Sequence, residues 1–191
     1  MTHVARAPQT DEPDPAILAR IVSGDLDALG TLFERYQHDV RRFLMRLGVS
    51  TADLDDLVQL SFLEVINASR NFDGRSSARA WLLGVAATMV RRQRRSFARM
   101  TARLGAWTRA RQEVRTETPS ETFEGREIEA RFWSALQNLS PKKREVFVLV
   151  TLEGSSGEEA AIALGVPLNT VWTRLHHARD ELRHRLREEA P

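Results

Sequence analysis

The segment SGEEAAIALGVPLNTVWTRLHHARDEL, residues 156–182, constrains the fold most, because a short apolar run, a glycine and a second periodic run follow one another in it. Ala160 and Leu164 give the first run a slim apolar face that permits close crossing, and Gly165 tolerates a tight turn. Asn169 or Thr170 can then cap a second helix. This order predicts a helix-turn-helix.

On a helical wheel, the apolar residues of the second helix fall within one narrow arc, which we expect to be buried. That stripe comprises Val171, Leu175, Ala178 and Leu182. The side chains that face outward or flank the stripe are Trp172, Thr173, Arg174, His176, His177 and Arg179. Small polar, imidazole and guanidinium groups on such a helix can donate hydrogen bonds to base edges and phosphates. A plain amphipathic helix in a bundle is the alternative.

The rest of the chain also has helical periodicity and no strand pattern. Residues 17–48 predict one helix of about nine turns with a kink near Ser23 and Gly24. Thr51 or Asp53 can cap the next helix, DLDDLVQLSFLEVINAS, and the loop NFDGRSS precedes a third, ARAWLLGVAATMVRRQRRS.

A second helical block begins with FEGREIEARFWSALQNL, and Ser140 and Pro141 then predict the start of PKKREVFVLVTLEG. We therefore expect an all-α fold with two helical domains joined by a flexible linker. The predicted division is a disordered tail at 1–15, a first domain at 16–96, a basic linker at 97–124, with a short helix near Leu104 and Trp107, and a second domain at 125–191.

Basic charge is concentrated in one part of the chain. The formal net charge is only +2, but the segment from Arg91 to Arg115 holds nine arginines and a single acid, Glu113. A guanidinium group can hold a phosphate through two hydrogen bonds. Contact with a polyanion and a solvated face encoded by a GC-rich gene remain the two interpretations of this run.

Several function classes are disfavoured. The chain has no cysteine, which excludes a disulfide framework and agrees with a cytoplasmic location. We expect no membrane insertion, because no apolar run approaches the roughly 18 residues of a membrane span. No metal site and no cofactor are expected, since adjacent histidines diverge by about 100° on a helix. GSSGE and GRSSA are near misses for a nucleophile motif without a flanking strand, so an enzyme is not expected.

The helix DLDDLVQLSFLEVINAS has two distinct faces. Its apolar side is formed by Leu54, Leu57, Val58, Ser61, Phe62 and Val65, which we expect to be buried. The opposite arc carries Asp56, Gln59, Leu60 and Leu63. Scattered surface leucines and a partner surface with an apolar centre are equally compatible with this pattern.

The order of motifs resembles the extracytoplasmic-function (ECF) subfamily of sigma-70 RNA polymerase sigma factors. The resemblance rests on DLDDLVQLSFLEV, NFDGRSSARAWLLGVA, an arginine-rich helix end and LSPKKREVFVLVTLEGSSGEEAAIALGVPLNTVWTRLHHARDEL. It implies that the helix DLDDLVQLSFLEVINAS corresponds to region 2.2 of the family, which docks on the clamp helices of the polymerase β′ subunit. The implied contacts are Asp55, Asp56, Gln59, Leu60 and Leu63. Leu60 stands where the family usually has an acid.

The resemblance also implies that a loop and the following helix melt the minus-10 promoter element and capture a flipped base. The implied minus-10 contacts are Phe72, Arg75, Ser76, Arg79, Trp81, Thr88, Arg91, Arg92, Arg94 and Arg95. Thr88 stands where an asparagine is usual. Stacking on aromatic side chains fits an unstacked base, and arginine contacts to phosphates weaken with salt.

The second predicted domain resembles region 4 of the family, which implies that it reads the minus-35 element. The implied contacts are Asn169, Thr170, Trp172, Thr173, Arg174, His176, His177 and Arg179. Trp172 stands where lysine or arginine is common, and it can press on a thymine methyl group or pack on protein. The implied partners are core polymerase, through its β′ clamp helices and β flap, promoter DNA and an anti-sigma factor. A stand-alone helix-turn-helix regulator is the alternative, although it leaves the first domain without a purpose.

Overall fold

The computed structural model describes residues 12–103 and 123–188, and within those ranges it contains eight α-helices and no β-strand. The first group comprises α1 (Asp14–Val22), α2 (Leu26–Arg46), α3 (Thr51–Ala68) and α4 (Ala78–Arg103). The second group comprises α5 (Phe123–Asn138), α6 (Pro141–Phe147), α7 (Gly157–Leu164) and α8 (Leu168–Glu188). The predicted all-α fold with two helical domains is confirmed.

The prediction of one long helix over residues 17–48 is wrong, because the chain breaks between α1 and α2. Gly24 has a φ of 92°, a left-handed conformation that interrupts the helix. The Asp25 carboxylate then accepts hydrogen bonds from the amides of Asp27, at 3.0 Å, and Ala28, at 3.3 Å. The predicted kink is therefore a full turn with a new N-cap.

The N-cap of α3 also differs from the prediction of Thr51 or Asp53. Ser50 caps the helix, and its hydroxyl accepts a hydrogen bond from the Asp53 amide at 3.3 Å. Thr51 is the first helical residue, so its own side chain lies inside the turn that it was expected to cap. The carboxylate of Asp53 instead accepts from the Ser50 hydroxyl at 2.6 Å.

The boundaries of the predicted tail and linker shift as well. Helix α1 begins at Asp14, whose carboxylate accepts a hydrogen bond from the Tyr36 hydroxyl at 2.5 Å. Helix α4 runs to Arg103, so residues 97–103 are helical. They contain no glycine or proline, which is consistent with a helix that continues. The predicted short helix near Leu104 and Trp107 lies outside the described residues.

Helix α3 packs by the face that the periodicity predicts. All six residues of its apolar side are buried, namely Leu54, Leu57, Val58, Ser61, Phe62 and Val65. The Phe62 ring meets the Phe33 ring edge to face, with the centroids 4.9 Å apart. Aromatic pairs of this geometry stabilise a core beyond the area that they bury.

The first half of α4 is buried on every side. Residues 82–87 are each at most 8% exposed, and α4 contacts α2 and α3 of its own group as well as α7 of the second group. A helix that is apolar all round requires cover on more than one side. The two groups of helices therefore pack directly on each other and share one hydrophobic cluster.

In the second group, α6 starts as predicted, with Ser140 as its N-cap and Pro141 in its first turn. The VFVLV run is helical and continues from α6 into a π-helical turn, Val148–Leu152. Gly165 ends α7 with a φ of 65°. Helix α8 begins at Leu168, so Asn169 and Thr170 lie inside its first turn and the prediction that one of them caps it is wrong.

Candidate functional site

The outward surface of α3, hereafter the α3 surface, consists of Asp55, Asp56, Gln59, Leu60 and Leu63, all exposed. The Leu60 side chain is 50% exposed and that of Leu63 is 55% exposed. Asp55 pairs with Arg41 of α2, which anchors one margin of the surface. Two leucines with an acid and an amide beside them form an apolar centre with a polar margin, which is the composition of a protein-binding surface.

The loop before α4 places aromatic residues side by side. The rings of Phe72 and Trp81 meet edge to face, with their centroids 5.4 Å apart, and both are partly buried. Arg75 is exposed and pairs with Asp73, whereas Ser76 is buried. Phe72 lines an open groove of about 520 Å³ between α1 and this loop, together with Pro15, Leu18, Ala19, Val22, Ser69, Arg70, Asp73 and Gly74.

The four arginines of α4 between residues 91 and 95 do not share one environment. Arg92 is exposed and bonds to Glu64 at 2.8 Å, and Arg95 is exposed with its Nε bonded to the Arg91 carbonyl oxygen at 3.2 Å. Arg94 is partly buried and donates to the Leu47 carbonyl oxygen at 2.7 Å. Arg94 is more buried than Arg92 and Arg95, and this burial lowers its pKa.

Arg91 and Thr88 form a small network at the edge of the second group. The Thr88 hydroxyl donates to the Gly84 carbonyl oxygen at 3.1 Å and accepts from Arg91 at 2.8 Å. Arg91 also bonds to Glu145 of α6 at 2.9 Å. Burial raises the pKa of Glu145, and the charge of Arg91 opposes part of that rise. Thr88, expected at the minus-10 element, is therefore engaged within the protein.

Arg79 is the most strongly held of the predicted site residues. Its Nε donates to Asp39 of α2 at 2.9 Å, and its Nη2 donates to Glu153 of the second group at 2.5 Å. Burial alone would raise the pKa of Asp39, but the hydrogen bond and charge of Arg79 hold that pKa below its ordinary value. In this conformation the guanidinium group of Arg79 faces carboxylates.

The helix-turn-helix is built as a capped unit. Ser156 and Glu159 form a capping box on α7, with the Glu159 amide 3.1 Å from the Ser156 hydroxyl. The predicted stripe of α8 is buried at all four positions, Val171, Leu175, Ala178 and Leu182. Its outward positions are exposed at Asn169, Trp172, Thr173, His176, His177 and Arg179, whereas Thr170 and Arg174 are partly buried. The polar arc of α8 is confirmed.

Trp172 packs on its own domain. A Cβ atom placed on Gly157, the first residue of α7, would lie 2.4 Å from Cζ2 of the indole. The ring therefore covers a backbone position where no side chain fits, while Trp172 stays 46% exposed. The six-membered ring of the indole thus lies against the start of α7.

Two family models match the chain in tandem. The sigma-70 region 2 model matches residues 32–100, and the sigma-70 region 4 model matches residues 129–182. RNA polymerase sigma factor NccH of Alcaligenes xylosoxydans xylosoxydans is 30% identical over 174 residues, which are 88% of this chain and 92% of that protein. ECF RNA polymerase sigma factor SigC of Mycobacterium tuberculosis is 31% identical over 172 residues, 90% of each chain. The chain belongs to the ECF sigma factors of the sigma-70 family.

A solved structure agrees with that assignment and confirms the resemblance inferred from the motifs. The structure of CnrH in complex with the cytosolic domain of CnrY has a TM-score of 0.67 to this sigma factor and 27% sequence identity. The similarity covers 94% of this chain and 100% of that chain. Region 2 corresponds to the first helix group, and region 4 corresponds to the second.

Sequence reasoning missed the residues that join region 2 to region 4. Arg144 is 7% exposed and donates to the carbonyl oxygens of Leu47, at 2.8 Å, and Leu139, at 3.0 Å. Burial, reinforced by the charge of Arg94, lowers the pKa of Arg144 to about 10, so it remains protonated near neutral pH. The signal available in the sequence was α4 itself, whose apolar residues occupy all sides and so require a second cover.

The described residues show neither a membrane-crossing helix nor a metal centre. Within 12–103 and 123–188, every helix is too short or too polar to cross a lipid bilayer. In the same part of the chain, no three side chains of the metal-binding types come together.

Proposed function

We propose that this sigma factor docks on the β′ clamp helices of core polymerase through the α3 surface, with region 4 contacting the β flap. The protein is an initiation factor that directs promoter-specific transcription, and polymerase performs the chemistry. The observation that carries the docking proposal is the pair of half-exposed leucines, Leu60 and Leu63, on a helix whose other face is fully buried. We expect the protein to act in the cytoplasm, because its proposed partners, core polymerase and promoter DNA, are found there.

Promoter contacts divide between the two regions. The minus-10 strand is assigned to the Phe72 and Trp81 aromatic pair, with phosphate contacts from the arginines of α4. The minus-35 duplex is assigned to the polar arc of α8, centred on Thr173 and His176. Binding energy from both elements supports strand opening, since an unstacked base regains stacking and edge hydrogen bonds in an aromatic site.

An anti-sigma factor is the proposed regulatory partner. The relative CnrH is described in a complex with CnrY, and the α3 surface offers the apolar centre on which such a partner can bind. Because polymerase is assigned to the same surface, the two partners are expected to compete for it.

The docking proposal is tested by Leu60→Ala and Gln59→Ala, compared with Leu26→Ala on α2. Leu26 is a matched control because it is also an exposed leucine, at 68%. Truncation at a binding surface is expected to weaken association with core polymerase about tenfold. Binding of the isolated protein to minus-35 duplex should be unchanged in all three variants. Equal losses of polymerase and duplex binding would mean that the substitutions disturb the fold, and no loss would remove α3 from the interface.

A stand-alone helix-turn-helix regulator is the second candidate. It is supported by the capping box of α7 and by the buried stripe that orients α8 within the same helix group. That candidate predicts tight binding to duplex DNA by the protein alone and no effect of Leu60→Ala on any activity.

A further inference from the structure

Region 2 and region 4 touch backbone to backbone at Gly84. A Cβ atom placed on Gly84 would lie 2.3 Å from the carbonyl oxygen of Ala163, and its three nearest atoms all belong to Ala163 of α7. Glycine inside a helix costs roughly 1 kcal/mol relative to alanine. Contact with region 4 therefore accounts for the absence of a side chain at this position.

Glu153 of region 4 pairs with three arginines of region 2, the most distant being Arg42 at 3.6 Å. Its side chain is 1% exposed, and its carboxylate accepts from Arg46 at 2.7 Å and from Arg79 at 2.5 Å. The same two guanidinium groups also donate to backbone carbonyl oxygens, Arg46 to Leu152 at 3.1 Å and Arg79 to Glu153 at 3.0 Å. Both faces of this acidic turn are thus occupied by cations of region 2.

A second acidic contact lies at the other end of the same interface. The Glu145 side chain is 3% exposed and bonds to Arg91 of region 2 at 2.9 Å. A third carboxylate, that of Glu159, accepts from the Ser77 amide at 3.0 Å, just before α4 begins. Hydrogen bonds from Ser77 and Ser156 lower the pKa of Glu159, so it carries its charge there.

These carboxylates offer the arginines the same ligand chemistry as a DNA phosphate. A guanidinium group pairs with either anion through charge-assisted hydrogen bonds, and Arg79 and Arg91 cannot face both at once. The direct contact between region 2 and region 4 is also incompatible with the spacing of a promoter. Elements about 25 base pairs apart lie about 85 Å apart along B-DNA at 3.4 Å per pair. Regions in direct contact cannot bind both elements of one straight promoter.

We propose that the face of region 4 carrying Glu145 and Glu153 is an internal competitor for promoter DNA. It holds the free sigma factor in a closed form, with the arginines of region 2 neutralised in cis, until polymerase and DNA separate the two regions. This inference rests on the proposed function, since it assigns Arg79 and Arg91 to DNA. It requires no anti-sigma factor, because the acidic ligands are part of the same chain.

The first test measures the distance between the regions. The chain has no cysteine, so His38→Cys on α2 and Arg183→Cys on α8, both exposed, can carry a fluorescent donor and acceptor. Energy transfer is compared in this background, with Gly84→Ala and with Gly30→Ala. Gly30 is an exposed glycine within α2 that has no atom within 4 Å of the added Cβ. Both substitutions favour the helix, but only Gly84→Ala collides with region 4.

The second test measures anion binding by the full chain without polymerase, using a labelled oligo(dT) single strand. Glu153→Gln keeps the shape of the side chain and removes its charge, and Glu34→Gln on the exposed side of α2 is the matched change in net charge. The closed form predicts severalfold tighter binding for Gly84→Ala and Glu153→Gln, and the same affinity as the parent protein for Gly30→Ala and Glu34→Gln.

Lower energy transfer in Gly84→Ala together with tighter binding in both interface variants supports the internal competitor. Equal transfer in all three proteins, or equal gains in Glu153→Gln and Glu34→Gln, would overturn it. Initiation by the parent protein with core polymerase is measured alongside. Absence of initiation contradicts the proposed function, whereas unchanged energy transfer contradicts the closed form alone.

Discussion

Helices α3 and α4 lie side by side in region 2, but they are covered in different ways. Helix α3 buries one face and leaves Leu60 and Leu63 half exposed on the other. Helix α4 buries residues 82–87 on all sides, because α7 of region 4 covers the side that region 2 leaves open. The chain thus covers α4 itself and leaves two leucines of α3 exposed.

This difference shows that exposure, rather than apolar content, separates a binding surface from an interior one. The two leucines of the α3 surface are half exposed, and Arg41 pairs with Asp55 at its margin. The corresponding side of α4 meets the backbone of Ala163 at Gly84. The exposed leucines of α3 support the proposed docking role, whereas the α4 contact is internal to the protein.

The largest expected difference is between substitutions on the two faces of α3, in their effect on the free energy of unfolding. Phe62→Ala removes a ring that is 3% exposed and packed against Phe33, and it is expected to lower the free energy of unfolding by about 3 to 4 kcal/mol. Leu60→Ala should change it by less than about 0.5 kcal/mol, since half of that side chain already contacts solvent. Urea unfolding followed by circular dichroism measures both. Similar losses would mean that Leu60 belongs to the core.

Loss of the contact that region 4 makes with region 2 should lower the free energy of unfolding by a smaller amount. That contribution should depend on the charge of Glu153. Glu153→Ala leaves Arg46 without its carboxylate and removes one of the two carboxylates that hold Arg79, which is expected to cost about 2 kcal/mol. Because the loss falls on the contact between regions, one thermal unfolding transition should separate into two in calorimetry. Glu34→Ala, which removes an exposed acid from α2, is the control and should retain the parent profile. An unchanged profile in Glu153→Ala would mean that the regions unfold independently already.

The smallest expected effect is a dependence on pH. Burial raises the pKa of Glu145, so its folded state binds more protons than the unfolded state in the window above the ordinary glutamate value. The stability that this group contributes is complete below that value and is lost as the pH rises through the raised pKa. Glu145→Gln cannot titrate, so the stability of the parent relative to this variant should fall as pH rises. A stability of the parent that rises with pH relative to Glu145→Gln would contradict the raised pKa.

The parts of the fold that follow from local periodicity could be predicted from the sequence. The buried side of α3 and the buried stripe of α8 follow from a repeat of 3.6 residues, and both are confirmed. The start of α6 follows from the pairing of Ser140 and Pro141, which is a local signal. Family motifs added the assignment to sigma factors, which periodicity alone could not provide.

The errors arise where one residue decides between two local structures. Gly24 and Asp25 turn a predicted kink into a break, and Ser50 rather than Thr51 caps α3. The contact between regions was missed for a different reason. Arg79 and Glu153 are 74 positions apart, and no spacing rule relates them. Only the apolar run at residues 80–87 of α4 indicated that a second cover was needed.

Promoter-specific initiation is the central claim, and a single measurement tests it most directly. Core RNA polymerase is incubated with a promoter library, with and without this sigma factor, and the transcript start sites are sequenced. We expect starts at discrete positions downstream of a shared pair of elements, only when the sigma factor is present. No sigma-dependent transcripts, together with tight duplex binding by the protein alone, would contradict the account and favour a stand-alone regulator.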